Sequence, residues 1–200
     1  MKKRRGAFSL IELLAVIALL GLLIALTVPA LETVLENGRL AQATTQVVSA
    51  LSLAAGKASA ENRPVTVRLI RAPGEPVRRL QLVSIRHNGS VQALDRVVRL
   101  PETVALASHP ELSSLLDLPE ADAGSGDPPV PGLGTGYLYR QFQFRPDGRL
   151  ALAAPNALAR LWFLTLIPNR EDDATRAAPP RNFSTITVDP VHGRLSLYRP

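Results

Sequence analysis

The chain has 200 residues, 46% of them apolar, 4% aromatic and 20% charged, with no cysteine and a net charge of +6. That length makes one globular domain of ordinary size, and the lack of cysteine excludes disulfide scaffolds, thiolate metal sites and cysteine nucleophiles. Lys2, Lys3, Arg4 and Arg5 supply four of the six net charges and leave 19 basic against 17 acidic side chains, so the basicity belongs to the N-terminus and not to a nucleic-acid-binding face.

From Ala7 to Leu31 the only charged residue is Glu12, and the 19-residue run Leu13 to Leu31 is broken only by Gly21, Thr27 and Pro29. As a helix this run spans about 28 Å, enough for a bilayer core. Four cations just before it predict that the N-terminus stays cytoplasmic while the rest is exported. A removable secretory signal shares the basic start, but its apolar stretch is usually shorter and closes on a small-x-small cleavage site. Glu12 is the odd residue. A carboxylate in a membrane helix costs roughly 2.5–3.5 kcal/mol at the bilayer centre and less near an interface, so it normally has a partner.

Gly6 to Leu31, GAFSLIELLAVIALLGLLIALTVPAL, resembles the prepilin N-terminus shared by type IV pilins and type II secretion pseudopilins. The resemblance implies a prepilin peptidase that cuts on the cytoplasmic side before a Phe and N-methylates the new terminus. It also implies a Glu that pairs with the terminal amine of a neighbouring subunit during assembly. The usual residue before the cut is Gly, but cutting after Gly6 would leave Ala7 first and set Glu12 one place too far. Cutting after Ala7 makes Phe8 the first residue, Glu12 the fifth and Pro29, at the helix-kinking position of many pilins, the twenty-second. The expected site residues are therefore Ala7 and Phe8 for cleavage and methylation, Glu12 for assembly and Pro29 for the kink. An ammonium and a nearby carboxylate on an apolar helix are each costly alone, and packing against a neighbour relieves both.

The helix is expected to continue to about residue 62. Leu31, Val34/Leu35, Gly38, Ala41, Thr45, Val48, Leu51/Ser52, Ala55 and Ala58 fall at three-and-four spacing, and Asn62-Arg63-Pro64 ends the run. Beyond it the period changes to two. Strands are predicted at Val65–Ile70, Arg79–His87 and Val91–Leu94, with an Asn88-Gly89 hairpin turn between the last two. Further extended pieces are Val97–Ala107, broken at Pro101, then Gln141–Arg145, Arg160–Ile167, Phe183–Val188 and Arg194–Tyr198. Turns follow at Pro146–Arg149 and Asp189–Gly193. Two Pro/Gly-rich segments, 117–136 and 168–182, read as flexible surface loops. The expected organisation is a leader over 1–7, a transmembrane assembly helix over 8–31, its amphipathic continuation over 32–62 and a β-rich exported head over 63–200.

The fold class is α+β, a long N-terminal helix on an antiparallel β-rich head. With FRPDG (Phe144–Gly148) this resembles the minor pseudopilin branch of the H type. More narrowly, NRPVTVRL, FQFRPDG, WFLTLIP and ITVDPVHGRLSLYRP are similar to protein D of the Verru_Chthon cassette, a prepilin-like family.

Other chemistry finds little support. His87, His109 and His192 share no ligand spacing, and Glu171-Asp172-Asp173 lacks the alternation of a calcium loop, so no metal is expected. Ser9 and Ser113-Ser114 have no nucleophile elbow, and Gly132–Gly136 follows no strand and has no Lys. Asn88-Gly89-Ser90 matches a glycosylation acceptor only because it makes a good turn. No cofactor and no enzymatic activity are expected. Arg68, Arg71, Arg78, Arg79, Arg86, Arg96 and Arg99 cluster in the first strands, and some minor pilins bind DNA through a basic head; the near-neutral body and scarce aromatics argue against nucleic acid here. The function expected is a structural subunit, processed by a prepilin peptidase and assembled with other pilin-like subunits into a pilus- or pseudopilus-like filament. It would be a single-pass inner-membrane protein with a periplasmic or extracellular head. The alternative is a membrane-anchored module whose basic head binds DNA or a secreted substrate.

Overall fold

The computed structural model describes residues 10–154, 160–172 and 177–200, with the side chains of 25–33 and 171 outside that description. The chain forms two compact units, Met1–Gly38 and Arg39–Pro200. One helix, α1 (Leu10–Ala60), contributes to both. Eleven strands follow among the described residues: β1 (Val65–Arg71), β2 (Arg79–Ile85), β3 (Val91–Ala93), β4 (Val98–Arg99), β5 (Val104–Leu106), β6 (Glu120–Asp122), β7 (Leu138–Phe144), β8 (Leu150–Ala151), β9 (Trp162–Pro168), β10 (Ser184–Val188) and β11 (Leu195–Tyr198). The α+β reading, one long helix followed by antiparallel sheet, is what the structure holds.

In the second unit α1 buries Leu40, Ala43, Thr44, Val47, Ala50, Leu51, Ala54 and Ala58. This is a three-and-four stripe, but it is rotated from the predicted one. Leu51 and Ala58 are shared, whereas Thr45 and Ser52 are exposed and Ala41, Val48 and Ala55 are only partly covered. Alanines on several faces leave no size contrast to mark the buried one. The helix ends in a Schellman motif. The Arg63 N–H bonds to the Ala58 carbonyl at 3.2 Å and the Asn62 N–H to the Ser59 carbonyl at 3.4 Å, with Asn62 at a φ of 50°. Asn tolerates that left-handed position and Pro64 prevents continuation, so the predicted stop is met by a specific cap.

The first sheet runs β3-β2-β1-β7-β6, with β4 also on β2 and β8 also on β7; the second runs β11-β10-β9-β5. All pairings are antiparallel. Alternate residues of the strands, Val65, Val67 and Leu69 on β1, Phe142 and Phe144 on β7, and Trp162, Leu164 and Leu166 on β9, join the α1 stripe in one apolar core. The two sheets also meet through their turns. Arg145 N–H bonds to Arg149 O at 2.8 Å around Pro146-Asp147-Gly148, Asp189 N–H bonds to Arg194 O at 2.9 Å around Pro190–Gly193, and Leu150 N–H reaches Pro190 O at 2.9 Å. The Ser59 hydroxyl donates to Pro146 O at 3.3 Å, which ties the helix end to the same junction.

Three local expectations need amendment. The hairpin between β2 and β3 closes on Arg86 and Ser90, whose N–H and carbonyl are 2.9 Å apart, so its loop has His87 as well as Asn88-Gly89. The Asn88 side chain stabilises it by accepting from Ser90 N–H at 3.0 Å. Segment 117–136 is not wholly irregular: it holds β6, paired with β7 from Glu120↔Arg140 to Asp122↔Leu138, and buries Val130. In segment 168–182, Pro168 closes β9 opposite Val104 and Asn169–Glu171 forms a 3-10 helix. Asp172 accepts from the Ser108 N–H and hydroxyl at 2.8 and 2.7 Å.

Candidate functional site

Within the first unit, every large apolar side chain of α1 from Leu10 to Ile24 is exposed, from 46% at Val16 to 84% at Leu10. A helix that is apolar all round has no solvent face and requires an apolar environment around its whole circumference. Glu12 stands exposed in the first turn of this stretch. Ala7 and Phe8 lie outside the described residues. Pro29 falls within the span of α1, and its side chain lies outside the description. Among the described residues no helix is long and apolar enough to cross a membrane, and the apolar run 13–31 leaves them, as to side chains, at Ala25.

The arginines of the first strands are largely committed to carboxylates. Arg68 pairs with Asp127 at 2.6 Å, its side chain only 3% exposed, while Arg78 and Arg79 lie 3.2 and 3.7 Å from Glu75. Arg71 holds Glu120 in a fork of 2.8 and 2.6 Å, Arg140 adds a contact of 2.8 Å to the same carboxylate, and Arg99 meets Glu102 at 3.2 Å. Arg86 bonds to the Gln92 amide oxygen at 2.5 Å. Arg68 also stacks 4.0 Å over the Tyr139 ring. The cluster that read as a possible polyanion surface is thus, for the most part, internal structure.

Sequence reasoning missed the residues that answer these arginines: Glu120 and Asp127, inside a segment read as loop. The available signal was the alternation of Arg68, Arg79, Gln81 and Gln141 with core residues, which builds a polar sheet face, together with carboxylates in the adjoining Pro/Gly-rich stretch.

Glu120 lies below the ordinary glutamate value of 4.5, chiefly because it accepts from Arg71; burial pushes the other way, and the Arg140 and Arg71 charges lower it further. A depressed carboxylate contributes stability above its unfolded pKa and loses it as pH falls through the folded one. Glu120→Gln is therefore expected to lower the denaturation midpoint at pH 7. The gap between the two proteins should close as pH is lowered through the depressed Glu120 value; a pH-independent gap would mean that charge is not the cause.

Ser113 and Ser114 serve structure. β5 pairs only with the far end of β9, and beyond it the Ser113 hydroxyl accepts from Thr165 N–H at 3.1 Å and the Ser114 hydroxyl from Phe163 N–H at 2.9 Å. Ser114 then donates to Leu161 O at 3.0 Å. His192 sits 2.8 Å from Asp189 in its turn, and His109 accepts from Glu111 N–H at 3.2 Å.

Residues 2–28 match the family model described as the prokaryotic N-terminal methylation motif. No curated protein matches the chain. Two solved structures are similar to it, each with a TM-score of 0.46. One is the minor pseudopilin EpsH from the type 2 secretion system of Vibrio cholerae, at 15% identity over 80% of this chain and 94% of that one. The other is the type IV minor pilin FimU of Pseudomonas aeruginosa, at 14% identity over 82% of this chain and 95% of that one.

Proposed function

We propose that this chain is a structural subunit of a type IV pilus- or type II secretion pseudopilus-like filament. A prepilin peptidase cuts it between Ala7 and Phe8 at the cytoplasmic face and methylates Phe8. Its first helix then holds it in the inner membrane until it assembles with other pilin-like subunits, the β-rich head lying outside that membrane. The observation that carries the reading is an N-terminal methylation motif laid over a helical stretch, Leu10 to Ile24, that is apolar on every face and bears one carboxylate. Such a helix is stable in lipid or among other apolar helices, and Glu12 in that setting calls for a cation. The terminal amine of a neighbouring Phe8 supplies one.

Within that class we assign the chain to the minor subunits of the H type, and more narrowly to the Verru_Chthon cassette protein D kind. The phrases that support this lie on β1, the β7–β8 turn, β9 and the β10–β11 hairpin. The test is the intact mass and N-terminal sequence of the membrane-extracted protein made with its own prepilin peptidase. The expected chain begins at N-methyl-Phe8. A chain that begins at Ala7 breaks the register from Phe8 to Glu12, and one cut beyond Ala30 removes the assembly helix and the proposal with it.

A further inference from the structure

Residues 124–136 meet, at Arg68 and Ile70, a face of the first sheet that is largely polar and nonetheless buried. Arg68 and Gln81, directly opposite each other on β1 and β2, are each 2% exposed, and Arg79 on the same face is 7% exposed. The Gln81 amide oxygen and the Arg79 Nε and Nη1 have no hydrogen-bond partner among the described residues, and the one carboxylate near Arg79 is Glu75 at 3.7 Å. Buried polar groups left in this state favour water over protein.

The chain just before this segment is firmly held, with Leu118 in the main core and Glu120 clasped by Arg71 and Arg140, whereas residues 124–136 have few holds on the sheet. β6 pairs with β7, and Ala123 N–H bonds to Tyr137 O at 3.0 Å. From residue 124 to 136 the backbone bonds among the described residues are local, such as Val130 N–H to Gly134 O at 2.8 Å. Its apolar contact with the sheet centres on Ile70, met by Val130 and Tyr137. The remaining holds on 124–136 are the Tyr137 hydroxyl, which donates to Pro128 O at 3.0 Å, and Asp127, whose two oxygens take Arg68 Nη1 at 2.6 Å and Gly124 N–H at 2.8 Å.

We propose that residues 124–136 form a strap that opens as a unit while the helix and both sheets stay folded, with the Asp127–Arg68 pair as its latch. Opening costs little apolar burial, since Val130 is the one buried apolar side chain among residues 124–136. The energetic result is a local opening well below global unfolding. The strap is independent of the filament reading, since it involves the head alone.

Hydrogen exchange on the full-length protein tests it. The amides of Val130, Leu133 and Gly134 should exchange at least about tenfold faster than those of β10, and at a rate insensitive to low denaturant. Asp127→Asn leaves Arg68 buried without a counter-charge and should speed exchange in the strap by a further tenfold or so, with β10 unchanged. Strap and β10 amides that follow one denaturant dependence would overturn the proposal. So would an Asp127→Asn protein in which both shift together or neither does. If that variant does not fold, the denaturant series on the unaltered protein decides alone.

Discussion

A Glu12→Ala chain should be cut and methylated normally, remain in the membrane, and be reduced about a hundredfold in sheared filaments, the equivalent of the cost of an uncompensated charge in a membrane helix. The argument is one of mutual need. In the proposed function, cleavage makes the new amine a cation at the end of an apolar helix, and Glu12 is the only charged side chain between Ala7 and Leu31. Neither can find water inside a bundle of such helices, so each subunit brings one unmet charge of each sign, and addition to a neighbour satisfies both. Removal of the carboxylate leaves the amine uncompensated in the bundle, while the peptidase, which acts beforehand, is unaffected. Immunoblots of sheared and membrane fractions, with the mass of the mature N-terminus, give the two readings separately. Wild-type incorporation of Glu12→Ala would refute the pairing and leave the cleavage register standing.

Gly193→Ala is expected to lower head stability by about 3 kcal/mol, with a melting temperature roughly 10 °C lower. A Cβ on Gly193 would come within 2.4 Å of the Gly148 carbonyl oxygen, and Gly193 has a φ of +64°, where an L side chain is itself strained. The obstructing atom is backbone and cannot swing away. Gly148 N–H is bonded to Arg145 O at 3.0 Å and Gly193 N–H to Asp189 O at 2.8 Å, so each turn is fixed in its own strand pair. Separation of the turns would strain the Leu150–Pro190 bond that joins the sheets. Gly126→Ala provides the contrast: no atom lies within 4 Å of its added Cβ, and its expected effect is within about 0.5 kcal/mol. Thermal melts of the two variants side by side check the prediction, and equal losses would refute it.

The parts of this fold that sequence exposes are those with local causes. A period of two marked β1, β2 and β7, apolar composition marked β9 and a hairpin pattern marked β10 and β11, and Asn62-Arg63-Pro64 marked the helix end because cap and breaker are adjacent in the chain. β6 has no such mark. Glu-Ala-Asp has poor strand propensity, and it pairs because Arg71 and Arg140 draw Glu120 to the sheet edge, a long-range electrostatic cause. The buried face of α1 was misplaced by one position for a related reason: what selects among its alanines is the shape of the opposing sheet. For the assembly segment the position is reversed. The spacing of Phe8, Glu12 and Pro29 is read entirely from sequence, and the structure adds that the apolar side chains between Leu10 and Ile24 are uncovered all round.

The two hydroxyls beside β9 bear on how the head behaves when crowded. An exposed strand edge is a template onto which other chains can add, and proteins protect such edges or suffer aggregation. Where β5 stops short, Ser113 and Ser114 occupy the Phe163 and Thr165 amides that a foreign strand would seek, and Leu161 O is taken as well. Two side chains thus act as a counterfeit strand and close that stretch of edge to amyloid-like growth.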